Sequence, residues 1–135
     1  MLTLTKTKTQ PAELKQYIGG HWTVGGANRE VVSTNPADTR EVLARFTSAN
    51  QEDAKRAIEA ARKAFPDWRD TPPPVRGRIL AETAQIFRAR RDELAALMTR
   101  EQGKILAEAK GEINKGITLI EWFAGEGLRL GGVHG

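Results

Sequence analysis

The sequence predicts an α+β chain, an antiparallel β-ribbon followed by about four helices. Three observations carry this. β-Branched, alternating segments all lie before residue 47 and are split at Asn35-Pro36. Apolar residues recur at helical spacing from Ala54 onward. Pro66, Thr71-Pro72 and Gly103 then cut that periodicity into helix-length pieces.

Taken in order, residues 1–12 alternate threonine with lysine or leucine and reach Pro11, which reads as a loose tail, or as an edge strand if something pairs with it. Tyr17-Ile18-Gly19-Gly20-His21-Trp22 is a short apolar stretch split by a Gly-Gly turn signal. Val31–Thr34 and Glu41–Phe46 form the two strands of the ribbon, with Asn35–Arg40 as its turn. Ser48 or Asn50 caps the first helix, and Asp53 stands at the third helical position after Asn50. Ala54, Ala57, Ile58, Ala61 and Phe65 make its apolar face. Pro66 is expected to end it and Trp68 to plug the corner.

Thr71 and Pro72 are expected as N-cap and first residue of the second helix, whose buried stripe reads Val75, Ile79, Leu80, Thr83, Ile86 and Phe87. A third helix with Leu94, Leu97 and Met98 stops at Gly103, where glycine takes the left-handed conformation cheaply. The fourth begins near Lys104–Leu106. Its apolar face is Leu106, Ala109, Ile113, Ile117, Ile120 and Phe123 or Ala124. Gly111 and Gly116 lie inside it, each costing about 1 kcal/mol against alanine, so another element is expected to approach closely there.

Composition excludes several classes of function. The 135 residues contain no cysteine, which removes disulfides, thiolate metal sites and a cysteine nucleophile from this chain. His21 and His134 have no metal-ligand spacing. Ser33 and Ser48, the two serines, lack a His–Asp arrangement nearby. No stretch approaches a membrane span, and the first ten residues have neither a signal core nor an arginine, so the expected location is cytoplasmic. Arg76, Arg78, Arg88, Arg90 and Arg91 make residues 76–91 basic, but they straddle an apolar helical pattern and read mainly as its solvated face rather than a nucleic-acid stripe. The run WFAGEGLRLGGVHG fails as a phosphate cradle. Leu130 fills the third glycine place of G-x-G-x-x-G, and the run follows a helix rather than a strand. Glu101, Glu108 and Glu112 read as solvated helix carboxylates that pair with Lys104 and Lys115.

A set of short motifs adds a family. Tyr17-Ile18-x-Gly20-x-Trp22, Asn35-Pro36-Ala37, Ala57-x-x-Ala60-Ala61-x-x-Ala64-Phe65-Pro66-x-Trp68, Arg76-x-x-Ile79-Leu80, Thr99–Lys104 and Glu108-Ala109-x-Gly111-Glu112-Ile113 occur in this order. Together they resemble the N-terminal part of the NAD(P)-dependent aldehyde dehydrogenase superfamily over residues 17–131. The ending Trp122–Gly132 is most similar to the branch that oxidises α-ketoglutaric semialdehyde, with succinate-semialdehyde enzymes close by.

The resemblance implies that residues 13–135 are an incomplete first part of a Rossmann-type α/β cofactor domain, with residues 1–12 as a flexible tail. It implies that the family's nucleophilic cysteine, general base, oxyanion asparagine and cofactor lysine lie further along a longer chain. This chain is then expected to be inactive by itself, with NAD or NADP bound only in the full-length protein and none by this chain alone. Homologous subunits or the rest of the chain are the expected partners, as a homo-oligomer, without nucleic acid or membrane. Two sites carry over. Ser33 or Thr34, with Glu101, match ligands of a monovalent cation, and oxygen ligands suit a hard cation. Lys115 and Leu119 match positions bordering the substrate tunnel, where the lysine would attract a dicarboxylic-type substrate; the alternative is a surface lysine paired with Glu112 or Glu108. A stand-alone helical module that pairs with a full-length homologue is the competing reading of the whole chain.

Overall fold

The computed structural model describes residues 11–129 and residue 131. These form two compact units, divided between Ala61 and Arg62. Expectations for the first ten residues and for residues 130 and 132–135 lie outside the described part.

The first unit holds two small sheets. Strands β1 (Ala12–Glu13), β4 (Glu30–Asn35) and β5 (Asp38–Thr47) make one sheet in the order β1-β5-β4. β4 and β5 are antiparallel, as the alternation predicts, while β1 runs parallel to β5 with Ala12 opposite Ala44. The turn is tighter than expected. Asn35 already faces Asp38, and the backbone N–H of Ala37 donates to Asn35 Oδ1 at 2.9 Å. An asparagine that bonds two residues onward mimics a backbone turn, so Pro36-Ala37 suffices as the tip. The register then shifts twice, between Ser33, Thr34 and Asn35, which absorbs the remaining residues of the expected turn as an irregularity in β5.

Strands β2 (Gln16–Ile18) and β3 (His21–Thr23) make the other sheet. Gly19 and Gly20 have φ of 60° and 88°, the left-handed pair that a two-residue hairpin turn requires. Tyr17 and Trp22 stand opposite each other with ring centroids 5.0 Å apart.

Helix α1 spans Gln51–Asp70 and runs through Pro66, contrary to the expected stop. Proline removes one backbone donor, but the turn beyond it is retied. The Thr71 N–H donates to Asp67 O at 3.0 Å and its hydroxyl to the same oxygen at 2.7 Å. Thr71 therefore closes α1 rather than capping the next helix. Trp68 lies inside α1 and is exposed, with the Arg76 guanidinium 5.9 Å above its ring, so it plugs no corner.

Helices α2 (Pro73–Ala89), α3 (Arg91–Gln102) and α4 (Leu106–Glu126) complete the second unit. Gly103 has φ of 74°, and its N–H donates to Thr99 O at 2.8 Å, the expected left-handed end of α3. The buried faces differ from expectation. α2 turns Gly77 and Ala84 inward, while Ile79 and Ile86 are exposed. A Cβ on Gly77 would collide with the carbonyl oxygen of Ala124, and one on Gly127 would sit 2.5 Å from Pro73 O. Close backbone approach thus occurs at Gly77 and Gly127. At Gly111 and Gly116, where it was expected, an added Cβ meets nothing within 4 Å. Small residues win because backbones that touch exclude large side chains from the seam. In α3, Ala95 is fully buried and Leu97 is half exposed.

Candidate functional site

The side of α4 away from its packed face is the place to look for chemistry. Ala109 and Ile117 are buried and Ile113, Ile120 and Ala124 partly so, which fixes the inner face at helical spacing. Lys115, Leu119 and Trp122 follow one another at steps of four and three residues, so they share the outer face, and all three are exposed. The Arg129 guanidinium lies 5.2 Å from the Trp122 ring centroid and pairs with Glu126 one turn further on. In the sequence Trp122 and Arg129 stand only within the Trp122–Gly132 motif and not as site residues. The signal was there in the seven-residue step from Lys115 to Trp122, but a helical period cannot show which face stays open.

Of the two expected partners of Lys115, Glu112 is engaged elsewhere. Glu112 pairs with Lys104, as the carboxylate reading anticipated, and no ion pair to Lys115 forms among the described residues. The outer face therefore offers an ammonium at one end and apolar surface after it. That arrangement can attract a carboxylate while Leu119 contacts a methylene chain. The helix here is regular, with the Thr118 hydroxyl donating to Asn114 O at 3.1 Å.

Thr34 and Glu101 fall in different units. Thr34 is half-buried in β4, at the register irregularity opposite Val42. Glu101 is exposed in the last turn of α3. Two residues before it, the Thr99 hydroxyl is buried without a hydrogen-bond partner among the described residues. Among the described residues no three His, Cys, Asp or Glu side chains cluster to hold a metal.

The most perturbed carboxylate lies elsewhere, in the first unit. Asp53 is 3% exposed. Its Oδ2 accepts from the backbone N–H of Asn50 at 3.0 Å and of Gly26 at 2.7 Å, and its Oδ1 pairs with Arg56. Asn50 Oδ1 accepts in return from the Asp53 N–H at 2.9 Å, which completes the expected cap. These backbone hydrogen bonds first, and Arg56 after them, hold the Asp53 carboxyl well below the usual range. A group so fully satisfied is a structural anion, not an acid or base poised near neutrality.

The glycines near the end of α4 are spent on packing. Gly127 has helical φ of −56° and lies against Pro73, and Gly125 is in the helix. The remaining donor pattern of a phosphate cradle is not formed by these residues. Of the five arginines in 76–91, Arg88 pairs with Glu121 at 2.5 Å, Arg90 with Glu93 at 2.6 Å and Arg91 with Asp92 at 3.2 Å, which weakens the nucleic-acid reading.

Comparison with known proteins matches residues 22–134 to the aldehyde dehydrogenase family. The chain belongs to that family. Over 118 residues it is 39% identical to the α-ketoglutarate semialdehyde dehydrogenase of Haloferax volcanii, covering 87% of this chain and 24% of that protein. Over 119 residues it is 42% identical to malonate-semialdehyde dehydrogenase 1 of Geobacillus kaustophilus, covering 88% and 24%. The crystal structure of succinate-semialdehyde dehydrogenase from Burkholderia pseudomallei superposes with a TM-score of 0.83 and 39% identity, covering 89% of this chain and 25% of that one. The chain thus spans about a quarter of the length of the aldehyde dehydrogenases it matches. Among the described residues no helix is long and apolar enough to cross a membrane.

Proposed function

We propose that this chain supplies the first part of an NAD(P)-dependent aldehyde dehydrogenase that oxidises a semialdehyde to the corresponding acid. One observation carries the semialdehyde reading: Lys115 and Leu119 stand exposed on one face of α4, with the lysine unpaired among the described residues. A semialdehyde bearing a second acid group suits that pair, the carboxylate at Lys115 and the chain along Leu119. The three relatives described above are named as semialdehyde dehydrogenases, which supports the same substrate class. Thr34 and Glu101 are the proposed cation ligands.

The chain alone has no thiol, so it cannot form the covalent adduct on sulfur that aldehyde oxidation in this family is expected to need. It is inactive alone in this reading, and NAD or NADP is held by residues outside it. The working protein is cytoplasmic and a homo-oligomer. A second reading, a helical module that pairs with a full-length homologue, is favoured by exposed Ile79, Ile86 and Trp122.

A chimera tests the first reading. The matching quarter of the Burkholderia succinate-semialdehyde dehydrogenase is replaced by this chain, and oxidation of succinate semialdehyde is followed at 340 nm. Activity should return, and Lys115→Met should raise KM with little change in kcat. Dehydrogenase activity in the purified chain alone, or a chimera whose KM ignores Lys115, overturns it.

A further inference from the structure

Lys115 has one acid within reach along its own helix. Residues three or four positions apart are neighbours on a helix surface. Around Lys115 those positions hold Gly111, Glu112, Thr118 and Leu119. Helical spacing alone would therefore close Glu112 onto the ammonium. Glu108, the next acid in this row, stands seven residues back, about two turns away. The structure shows a different pairing. The Glu112 carboxylate is taken by Lys104, which lies in the connection between α3 and α4. Lys104 Nζ donates to Glu112 Oε1. Gly103, with φ of 74°, ends α3 and turns the chain into that connection. The Lys104 side chain is 21% exposed. Its partial burial keeps the pair less screened than one made by the exposed Lys115 would be. Lys110, the other lysine on this part of α4, is held by Asp92 of α3 at 3.2 Å.

We propose that Lys104 is a positioning residue for a carboxylate-bearing substrate: it holds Glu112 and so keeps the Lys115 ammonium open. The role rests on Lys115 taking the substrate's carboxylate, as proposed above. Lys104 acts in two ways. It withdraws the acidic side chain that helical spacing offers Lys115 as a partner. It also neutralises a carboxylate one turn from the place where the substrate's own carboxylate binds, and like charges there repel. Without Lys104, Glu112 reaches Lys115 at the i, i+3 spacing, and the substrate must displace it. The loss falls on the binding of charged substrates and not on the chemical step, because Lys104 and Glu112 act through Lys115, away from the aldehyde carbon.

The test uses the chimera with succinate semialdehyde and, as an uncharged control, butanal. Lys104→Met should raise KM for the semialdehyde about threefold or more with little change in kcat, and leave KM for butanal unchanged. Glu112→Gln alone should not raise KM. The double variant Lys104→Met/Glu112→Gln should return KM to its starting value, since no acid is left to cover Lys115. Lys115→Met separates this role from the substrate reading. If Lys115→Met raises KM and Lys104→Met does not, Lys115 binds the substrate and the role of Lys104 is overturned. If Lys115→Met leaves KM unchanged, the substrate reading fails and the role of Lys104 falls with it. A KM that rises for both aldehydes in Lys104→Met, or for the semialdehyde in Glu112→Gln alone, overturns the role as well. Nuclear magnetic resonance of the intact chain needs no activity. The nitrogen signal of the Lys115 ammonium should move in Lys104→Met and return in the double variant. A Lys115 signal that ignores Lys104→Met overturns the role even where the chimera is inactive.

Discussion

In the first unit the decisive contacts are polar and converge on one carboxylate, whereas in the second they are between backbones. Asp53 ties the Gly26 loop to the start of α1 and is itself tied by Asn50 and Arg56. Ala44, 6% exposed, is the buried hydrophobic residue there among the described residues. In the second unit Ala84, Ala95, Ala109 and Ile117 are fully buried, and glycine at 77 and 127 lets chain segments meet without side chains between them. The first arrangement fails when one acceptor is lost. The second fails when one methyl is added.

The largest effect is expected for Asp53→Ala. It leaves the N–H groups of Asn50 and Gly26 and the Arg56 guanidinium without their acceptor, and buried donors left unpaired are costly. The melting temperature should fall by roughly 10 °C or more. Hydrogen exchange locates the loss: amides of β4 and β5 should lose protection while those of α2–α4 keep it. Equal loss in both units breaks the comparison. Gly77→Ala should do the reverse at smaller cost. The methyl meets a carbonyl oxygen that belongs to α4, so the helices must separate, at about 1–3 kcal/mol, partly offset by about 1 kcal/mol of helix propensity. Protection should fall at α2 and α4 alone.

Acid separates the units without mutation. The Asp53 carboxyl is held below its ordinary value when folded, so its contribution is complete above the unfolded value of about 3.9 and is lost as pH falls from there toward the folded one. Asp70, Asp92 and Glu93 are also lowered, by Arg69, by Lys110 with Arg91, and by Arg90 respectively, but all three are exposed and contribute little. Amides around Gly26 and Asn50 should therefore lose protection first on acidification below about pH 4. Loss that begins in α2–α4 would mean that the exposed pairs matter more than the buried cap.

What was legible in the sequence follows the range of the interactions. The β4–β5 pairing, the Asn50–Asp53 cap, the Gly19-Gly20 turn and the Gly103 stop are all set within a few residues, and each was readable. The run of α1 through Pro66 was not, because a proline rule counts the lost donor and does not see Thr71 retying the next turn. The buried side of α2 was misread for a different reason. Periodicity favours the row of large residues, and only a contact forty-seven residues away, with Ala124, shows that the glycine row is the seam. For the candidate site, Lys115 and Leu119 were placed by family resemblance, and their shared exposure on α4 came from the fold. Trp122 needed the fold altogether.

Gly116→Ala is the smallest expected effect and the most informative about what surrounds α4. An added Cβ at 116 meets nothing within 4 Å, and the residue is well inside the helix, so alanine should stabilise the chain by up to about 1 kcal/mol through helix propensity alone. The sign is opposite to that of Gly77→Ala, in the same unit and for the same chemical change. A destabilised Gly116→Ala chain would mean that the helix surfaces have been assigned the wrong way round. In the active chimera the same substitution reads a second environment. Position 116 adjoins Lys115 on the helix, so a methyl there should raise KM for a semialdehyde if aldehyde passes along this face, while the stability of the isolated chain still rises. Stabilisation in both settings with KM unchanged would leave α4 as scaffold and move the substrate contact elsewhere.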